Sequence, residues 1–171
     1  MRIAFDLGAW QGNTTKKLAE QYDVVIAVEP VIENYKVLIK NIPENVIPLC
    51  VAITNKTGIS DIYLSGKRSL SDTLIKEDNS KIRKVLTIKW NDLVDMLDIK
   101  EVEYAWVNIE GSEEMFLEGM SQVFPNKMVI EEHSRKGKTN LNNLEKLLGE
   151  KGYKITKRDK IEYYVEYEKK I

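Results

Sequence analysis

Two rhythms of apolar and polar positions run through the chain. Short unbroken apolar runs, residues 2–7 (RIAFDL) and Val24 to Val28, read as buried strands, the second ended by Glu29-Pro30. Between them Gly8 to Gly12 forms a turn, and Asn13 or Thr14 is placed to cap a helix running to about Tyr22. From Val31 to Asn41 the apolar positions Ile32, Tyr35, Leu38 and Ile39 follow helical spacing, with Pro43 beyond the end. Val46 to Ile53 gives a third strand region. Strand, helix, strand, helix, strand is the order of a parallel α/β sheet, because parallel neighbours need a crossover between them.

The same order returns later. Tyr104 to Ile109 reads as a strand, Glu113 to Met120 as a helix and Lys127 to Glu131 as a strand. Leu141, Leu144, Leu147 and Leu148 mark an amphipathic helix closed by Gly149 and Gly152. After Tyr153-Lys154-Ile155 and a charged turn, Ile161, Tyr163, Val165 and Tyr167 alternate with Glu162, Tyr164, Glu166 and Glu168, the period of a hairpin strand at the end of the sheet. The pattern predicts a Rossmann-like α/β fold, with a mostly parallel central sheet, helices on both faces and a C-terminal antiparallel hairpin strand. Neither a repeat nor a Pro/Gly/Ser-rich linker interrupts it, so residues 1–171 read as one domain. The exception is a polar loop insertion near 65–84, between short strands at Asp61 to Leu64 and Val85 to Ile88. With six basic and three acidic residues it reads first as a solvated loop, and second as a mobile cover for an anionic acceptor.

Composition narrows the function classes. A hydrophobic fraction of 43%, a charged fraction of 31% and a formal net charge of -1 describe an ordinary globular chain with no general pull toward nucleic acid or an anionic membrane. Cys50 is the only cysteine, which excludes an intrachain disulfide and a cysteine-built metal site. No apolar run reaches the roughly 18 residues of a membrane span, and the start, MRIAFDLGAW, lacks the layout of a signal peptide. A cytoplasmic protein is the default expectation.

The chemistry concentrates in DLGAWQGN. Gly8 permits a tight exit from the strand and a close approach of ligand to backbone, and the helix after Gly12 aims unpaired N–H groups over the turn. Asp6 ends the strand where open parallel sheets bind their ligands, and Glu29, twenty-one residues beyond Gly8, can accept from both ribose hydroxyls of an adenosine moiety. A dinucleotide site prefers G-x-G-x-x-G. This chain has Asp-x-Gly-x-x-x-Gly with Trp10 at the middle position, and no P-loop lysine follows. An acidic residue there repels a pyrophosphate and welcomes the ammonium of a methionine moiety, so the spacing favours S-adenosylmethionine over NAD.

Together these pieces resemble the FkbM-type S-adenosylmethionine-dependent methyltransferases. FDLGAWQGNTT is similar to that family's cofactor motif, VVIAVEP to its ribose-binding loop and NIPEN to its asparagine-containing helix end. VAITNKTG resembles the third strand and its turn, TIKWNDLVD the segment before the fourth strand, VNIEGSEEMFLEGM the Asp-x-Glu-Gly-x-Glu block and MVIEEH the closing strand. The resemblance implies O-methylation of a hydroxyl on a sugar, glycan or small natural product. It places Asp6, Gly8, Ala9, Trp10, Gly12, Asn13, Glu29, Pro30, Ala52 and Asn108 at the cofactor, with S-adenosylhomocysteine as product. Asn108 and Asn91 stand at positions that are commonly acidic in the family, and the chain starts at the first strand, so cover from a partner chain or a homo-oligomer is an open expectation.

In-line methyl transfer needs alignment and, for an alcohol, a base. Glu110, His133 and Asn108 are the catalytic candidates, with Glu113, Glu131 and Arg135 toward the acceptor. His133, the only histidine, has an ordinary pKa suited to a base near neutrality, although a lone histidine is often plain surface or core. Glu110 and Glu113 can equally serve a helix start. The acidic residues suit Mg²⁺ as oxygen ligands, but Asn108 weakens that set and no metal is expected. Two alternatives stay open: a non-catalytic S-adenosylmethionine-binding relative, and an NAD-binding oxidoreductase domain. Nucleic acid and membrane are not expected partners.

Overall fold

A computed structural model describes residues 1–64, 72–76, 80–131, 140–159 and 164–169. Its main sheet opens with β1 (Ile3–Leu7), which pairs in parallel with β2 (Val24–Val28) and with β7 (Tyr104–Val107). β3 (Val46–Leu49) extends the sheet beyond β2 and β8 (Lys127–Glu131) extends it beyond β7, both in parallel. β9 (Tyr153–Asp159) and β10 (Tyr164–Lys169) complete it as an antiparallel hairpin, giving the order β3-β2-β1-β7-β8-β10-β9. Every residue of β1 is buried, because the middle strand of a parallel sheet is covered on both faces.

Helices supply that cover. On one face, Leu18 of α1 (Asn13–Ala19) and Leu38 of α2 (Ile32–Asn41) pack over Ala4, Val25 and Ala27. On the other, α3 (Trp90–Met96), α4 (Glu113–Glu118) and α5 (Leu141–Glu150) bury Trp90, Leu93, Phe116, Leu117, Leu144 and Leu148 against Phe5, Leu7 and Val107. Trp90 is fully buried between the rings of Phe5 and Phe116, and its indole N–H donates to the carbonyls of Gln122 and Val123 at 3.1 Å. Asn45 ties α1 to the start of β3 by donating to the carbonyls of Ala19 and Tyr22.

Several boundaries differ from the sequence reading. The third strand region is two strands in two sheets. β3 ends at Leu49, and β4 (Ala52–Thr54) joins a separate sheet of order β4-β6-β5, with β5 (Gly58–Leu64) and β6 (Lys81–Lys89) antiparallel. Pro48 is tolerated in β3 because that strand is an edge of the main sheet. β5 and β6 are each longer than the short strands expected, so the polar insertion shrinks to the stretch between Leu64 and Lys81. The segment TIKWNDLVD, read without a helix, holds all but the last residue of α3. Val165 and Tyr167 bury their side chains as the alternation predicts, whereas Ile161 and Tyr163 lie outside the described residues. No described helix is long and apolar enough to cross a membrane.

Candidate functional site

The sheet order reverses between β1 and β7, and in open α/β sheets ligands bind beyond the carboxyl ends of the strands at such a point. The chain leaves β1 through a turn stitched to β2. Gly8 and Ala9 N–H both donate to the Val28 carbonyl at 3.0 Å. Gly8 has φ +87°, and a Cβ there would stand 1.8 Å from the Asn108 carbonyl oxygen. The close approach that demands glycine is therefore the protein's own β7 exit. Gly12, at φ +92°, is the residue before α1, so Asn13 opens the helix and neither Asn13 nor Thr14 caps it with a side chain. That corrects the capping expectation: a left-handed Gly12 turns the chain into the helix by backbone geometry alone.

A cleft of about 750 Å³, counted to its open mouth, lies over this point. Gly8, Trp10, Glu29, Pro30, Ala52, Asn108 and Glu110 line it, together with Val31, Asn34, Ile53, Ile62, Asp72, Leu74, Ile109 and Ser112. Of the expected cofactor residues, Asp6 lies in β1 beneath the turn, Ala9 and Gly12 belong to the turn and Asn13 opens α1, and none of these four lines the cleft. Ala9 is buried, and Asn13 is exposed.

Glu29 is 5% exposed and organises the turn. Its Oε2 accepts from Trp10 N–H at 3.0 Å, and its Oε1 accepts from Val31 N–H at 2.8 Å and from the Asn34 amide at 3.4 Å. Burial raises its pKa to about 7, against the lowering effect of these donors, and the Asp72 charge adds to the rise. Asp6 is fully buried, and burial lifts its pKa to about 6 although the Thr15 hydroxyl donates to its Oδ2 at 2.5 Å. Replacing Thr15 with valine removes that donor at nearly constant volume. It is expected to cost about 1–2 kcal/mol in urea unfolding at neutral pH.

Polar atoms around the cleft await partners. Among the described residues, Asn108 Oδ1, Trp10 Nε1, Ser112 Oγ and, beneath the turn, Asp6 Oδ1 are buried without hydrogen-bond partners, which buried polar groups rarely tolerate unless a ligand completes them. Trp10 and Glu110 hold left-handed backbones, φ 47° and 53°, a strain that marks functional turns. The Thr73 hydroxyl donates to the Glu110 carbonyl at 2.7 Å, while the Thr73 backbone exchanges hydrogen bonds with Tyr63. Residues 72–74 are thus part of the cleft wall, contrary to the solvated-loop reading, and they bring Asp72 to it. Sequence reasoning missed Asp72, which only contacts distant in sequence bring to Glu29, and Asn34, which sits one turn into α2 and was passed over as a polar helix position.

Glu113 is wholly buried and outside the cleft lining, where it accepts from Gly111 N–H at 3.1 Å. It shapes the loop before α4. Glu131, half-buried at the end of β8 opposite Tyr164, does not line the cleft either. Tyr35 packs with the α1/α2 core. Asn91 uses both ends of its amide on the loop after α4, donating to Ser121 Oγ and accepting from Ser121 and Gln122 N–H. His133 and Arg135 lie outside the described residues. Among the described residues no group of three His, Cys, Asp or Glu could hold a metal ion.

Strand order, switch-point cleft and acidic turn define the class I, S-adenosylmethionine-dependent methyltransferase architecture. The FkbM methyltransferase domain model matches residues 4–155, and the chain belongs to that family. No curated protein matches the sequence. Solved structures share the fold. M. capricolum TrmK in complex with S-adenosylhomocysteine has TM-score 0.59 at 11% identity over 98% of this chain, which spans 62% of that one. The precorrin-6y C5,15-methyltransferase of Geobacter metallireducens has TM-score 0.56 at 11% identity, covering 99% of this chain and 80% of that one. A fibrillarin/Nop5p complex has TM-score 0.51 at 16% identity, covering 99% of this chain and 73% of that one. The cofactor is S-adenosylmethionine, and the orphaned donors and acceptors around the cleft fit a ligand that offers both hydroxyl and ammonium groups.

Proposed function

We propose that residues 1–171, as one methyltransferase domain, transfer the methyl group to a hydroxyl oxygen of a small or glycan-type acceptor. The observation that carries this reading is the gathering of three carboxylates, Glu29, Asp72 and Glu110, around one cleft with the orphaned Asn108 Oδ1. Bound S-adenosylmethionine supplies a sulfonium methyl already activated for displacement. The protein then has to hold it, orient an oxygen and take a proton.

Glu29 accepts from the ribose, beside Pro30 and with Ala52 against the base; the Asp6–Gly12 turn receives the methionine end, and Asn108 contributes its free carbonyl oxygen. Glu110, in the middle of the β7–α4 loop, is the acceptor-side base within the described residues, and His133 is the second candidate. Arg135 is kept as the acceptor-side candidate; Glu131 and Glu113 both stand outside the cleft lining, and Glu113, wholly buried, is assigned to the loop before α4 instead. An acidic lining disfavours a phosphate backbone across the mouth, which supports a neutral or cationic acceptor over nucleic acid.

Calorimetry with S-adenosylhomocysteine and NAD tests the cofactor, and binding of NAD alone would overturn the proposal. A labelled-methyl screen over sugars and hydroxylated metabolites tests the reaction; no transfer to any of them, with S-adenosylhomocysteine bound, would favour a non-catalytic relative. With an acceptor in hand, Glu110→Gln is expected to lower kcat by about 10- to 100-fold while leaving S-adenosylhomocysteine affinity unchanged. Full activity in both Glu110→Gln and His133→Ala would remove both bases.

A further inference from the structure

The hairpin that walls the cleft has two faces of different character. Inward, Ile62 and Val85 are buried against Val31 and Ala52. Outward, the rungs run apolar, charged, apolar: Ile59 opposite Leu86, Asp61 opposite Lys84, and Tyr63 opposite Ile82. Ile59, Leu86 and Ile82 are 68%, 58% and 55% exposed, and Asp61 and Lys84 form an ion pair of 2.6 Å between them. Exposed aliphatics scattered singly need no explanation; here three of them share one outward face and flank a central ion pair.

We propose that this face is the contact between two copies of the chain. The argument is complementarity under a two-fold axis, since a dimer of this kind must match a surface to itself. Consider the axis lying in the interface along the strands, between β5 and β6. It places β5 of one copy over β6 of the other. Ile59 then meets the second copy's Leu86, Tyr63 meets its Ile82, and Asp61 meets its Lys84. The two ion pairs close into a ring of alternating charges between apolar rungs. An in-plane axis across the strands would instead set Asp61 over Asp61 and Lys84 over Lys84, which like charges forbid. The rung order therefore selects one geometry. Strand rise and spacing give the three rungs a footprint of roughly 200 Å², well below the about 800 Å² per partner of a standard interface, so association is weak.

Sedimentation velocity on the full chain, in a concentration series reaching the high micromolar range, tests this, with S-adenosylhomocysteine binding and thermal melts as folding controls. The wild type is expected to dimerise reversibly. Leu86→Lys, at an exposed position, is expected to raise the dissociation constant at least about tenfold. Asp61→Lys alone is expected to give a monomer, because two lysines then face each other across the axis. Adding Lys84→Asp to it restores opposite charges in every contact and is expected to restore the dimer. A wild type that stays monomeric throughout overturns the proposal. So does a dimer untouched by Leu86→Lys, or a single charge reversal that the second reversal fails to rescue. Wild-type monomers that bind lipid vesicles or a sugar through this face would likewise replace the second copy with that occupant.

Discussion

Gly8→Ala is expected to destabilise the ligand-free protein by about 4 kcal/mol, beyond the usual range for a surface turn. The position combines two demands that only glycine meets. Its φ of +87° lies in the left-handed region, and a Cβ would overlap the Asn108 carbonyl oxygen at 1.8 Å. That oxygen is backbone and cannot swing aside. It belongs to the residue whose N–H donates to Leu7 at the end of β1, so relief of the clash means prising β7 from β1 at the sheet's centre. For a chain of this length the loss corresponds to a fall in Tm of about 10 °C, read by thermal melts without ligand. The measurement separates two roles for the glycine. If Gly8→Ala melts with the wild type and loses only S-adenosylhomocysteine affinity, the glycine serves the ligand. A large loss in the ligand-free protein assigns it to the junction of β1 and β7.

The same residue shows where sequence reasoning stops. That a glycine must follow β1 was legible, because a turn between a buried strand and a helix announces itself locally. What fills the space beside it was not, because Asn108 arrives from a hundred residues away. The parallel core was legible for a similar reason: Val24 to Val28 and residues 2–7 carry their burial in composition. Val46 to Ile53 misled because the apolar run is continuous while the chain turns at Cys50-Val51 and changes sheets. α3 was legible and overlooked, since Trp90, Leu93, Val94 and Leu97 fall at i, i+3, i+4 and i+7, and the first three form its buried face. At the site, Glu29 was visible as an acidic strand end. Asp72 was masked by its basic neighbours, and Glu113 read as an acceptor contact because helical spacing cannot tell a cleft wall from a buried loop anchor.

Raising the pH from about 5 to about 8 is expected to weaken the ligand-free protein and to strengthen its stabilisation by S-adenosylhomocysteine. Burial lifts Glu29 from 4.5 to about 7 and Asp6 from 3.8 to about 6. Both carboxyls hold their protons more tightly folded than unfolded, so the stability they contribute is complete below their unfolded values. It is lost as pH climbs through about 6 and about 7, since the folded state must then ionise groups that the unfolded chain ionises easily. Shifts of this size correspond to a few kcal/mol in total. The exposed acids Asp23, Glu33 and Asp98 are shifted downward, so their effect falls at lower pH. A ligand that brings ribose hydroxyls to Glu29 and an ammonium toward Asp6 favours the ionised forms. The Tm gain from S-adenosylhomocysteine should therefore grow with pH, with protons released on binding in calorimetry across buffers of different ionisation enthalpy. Glu29→Ala should weaken S-adenosylhomocysteine about 100-fold, the worth of two hydrogen bonds to a charged acceptor, and flatten the fall of ligand-free stability above about pH 6. A Tm gain that is equal at both ends of the range and survives Glu29→Ala would place the ribose elsewhere. The buried carboxylate would then serve only to pin Trp10, Val31 and Asn34 around the turn.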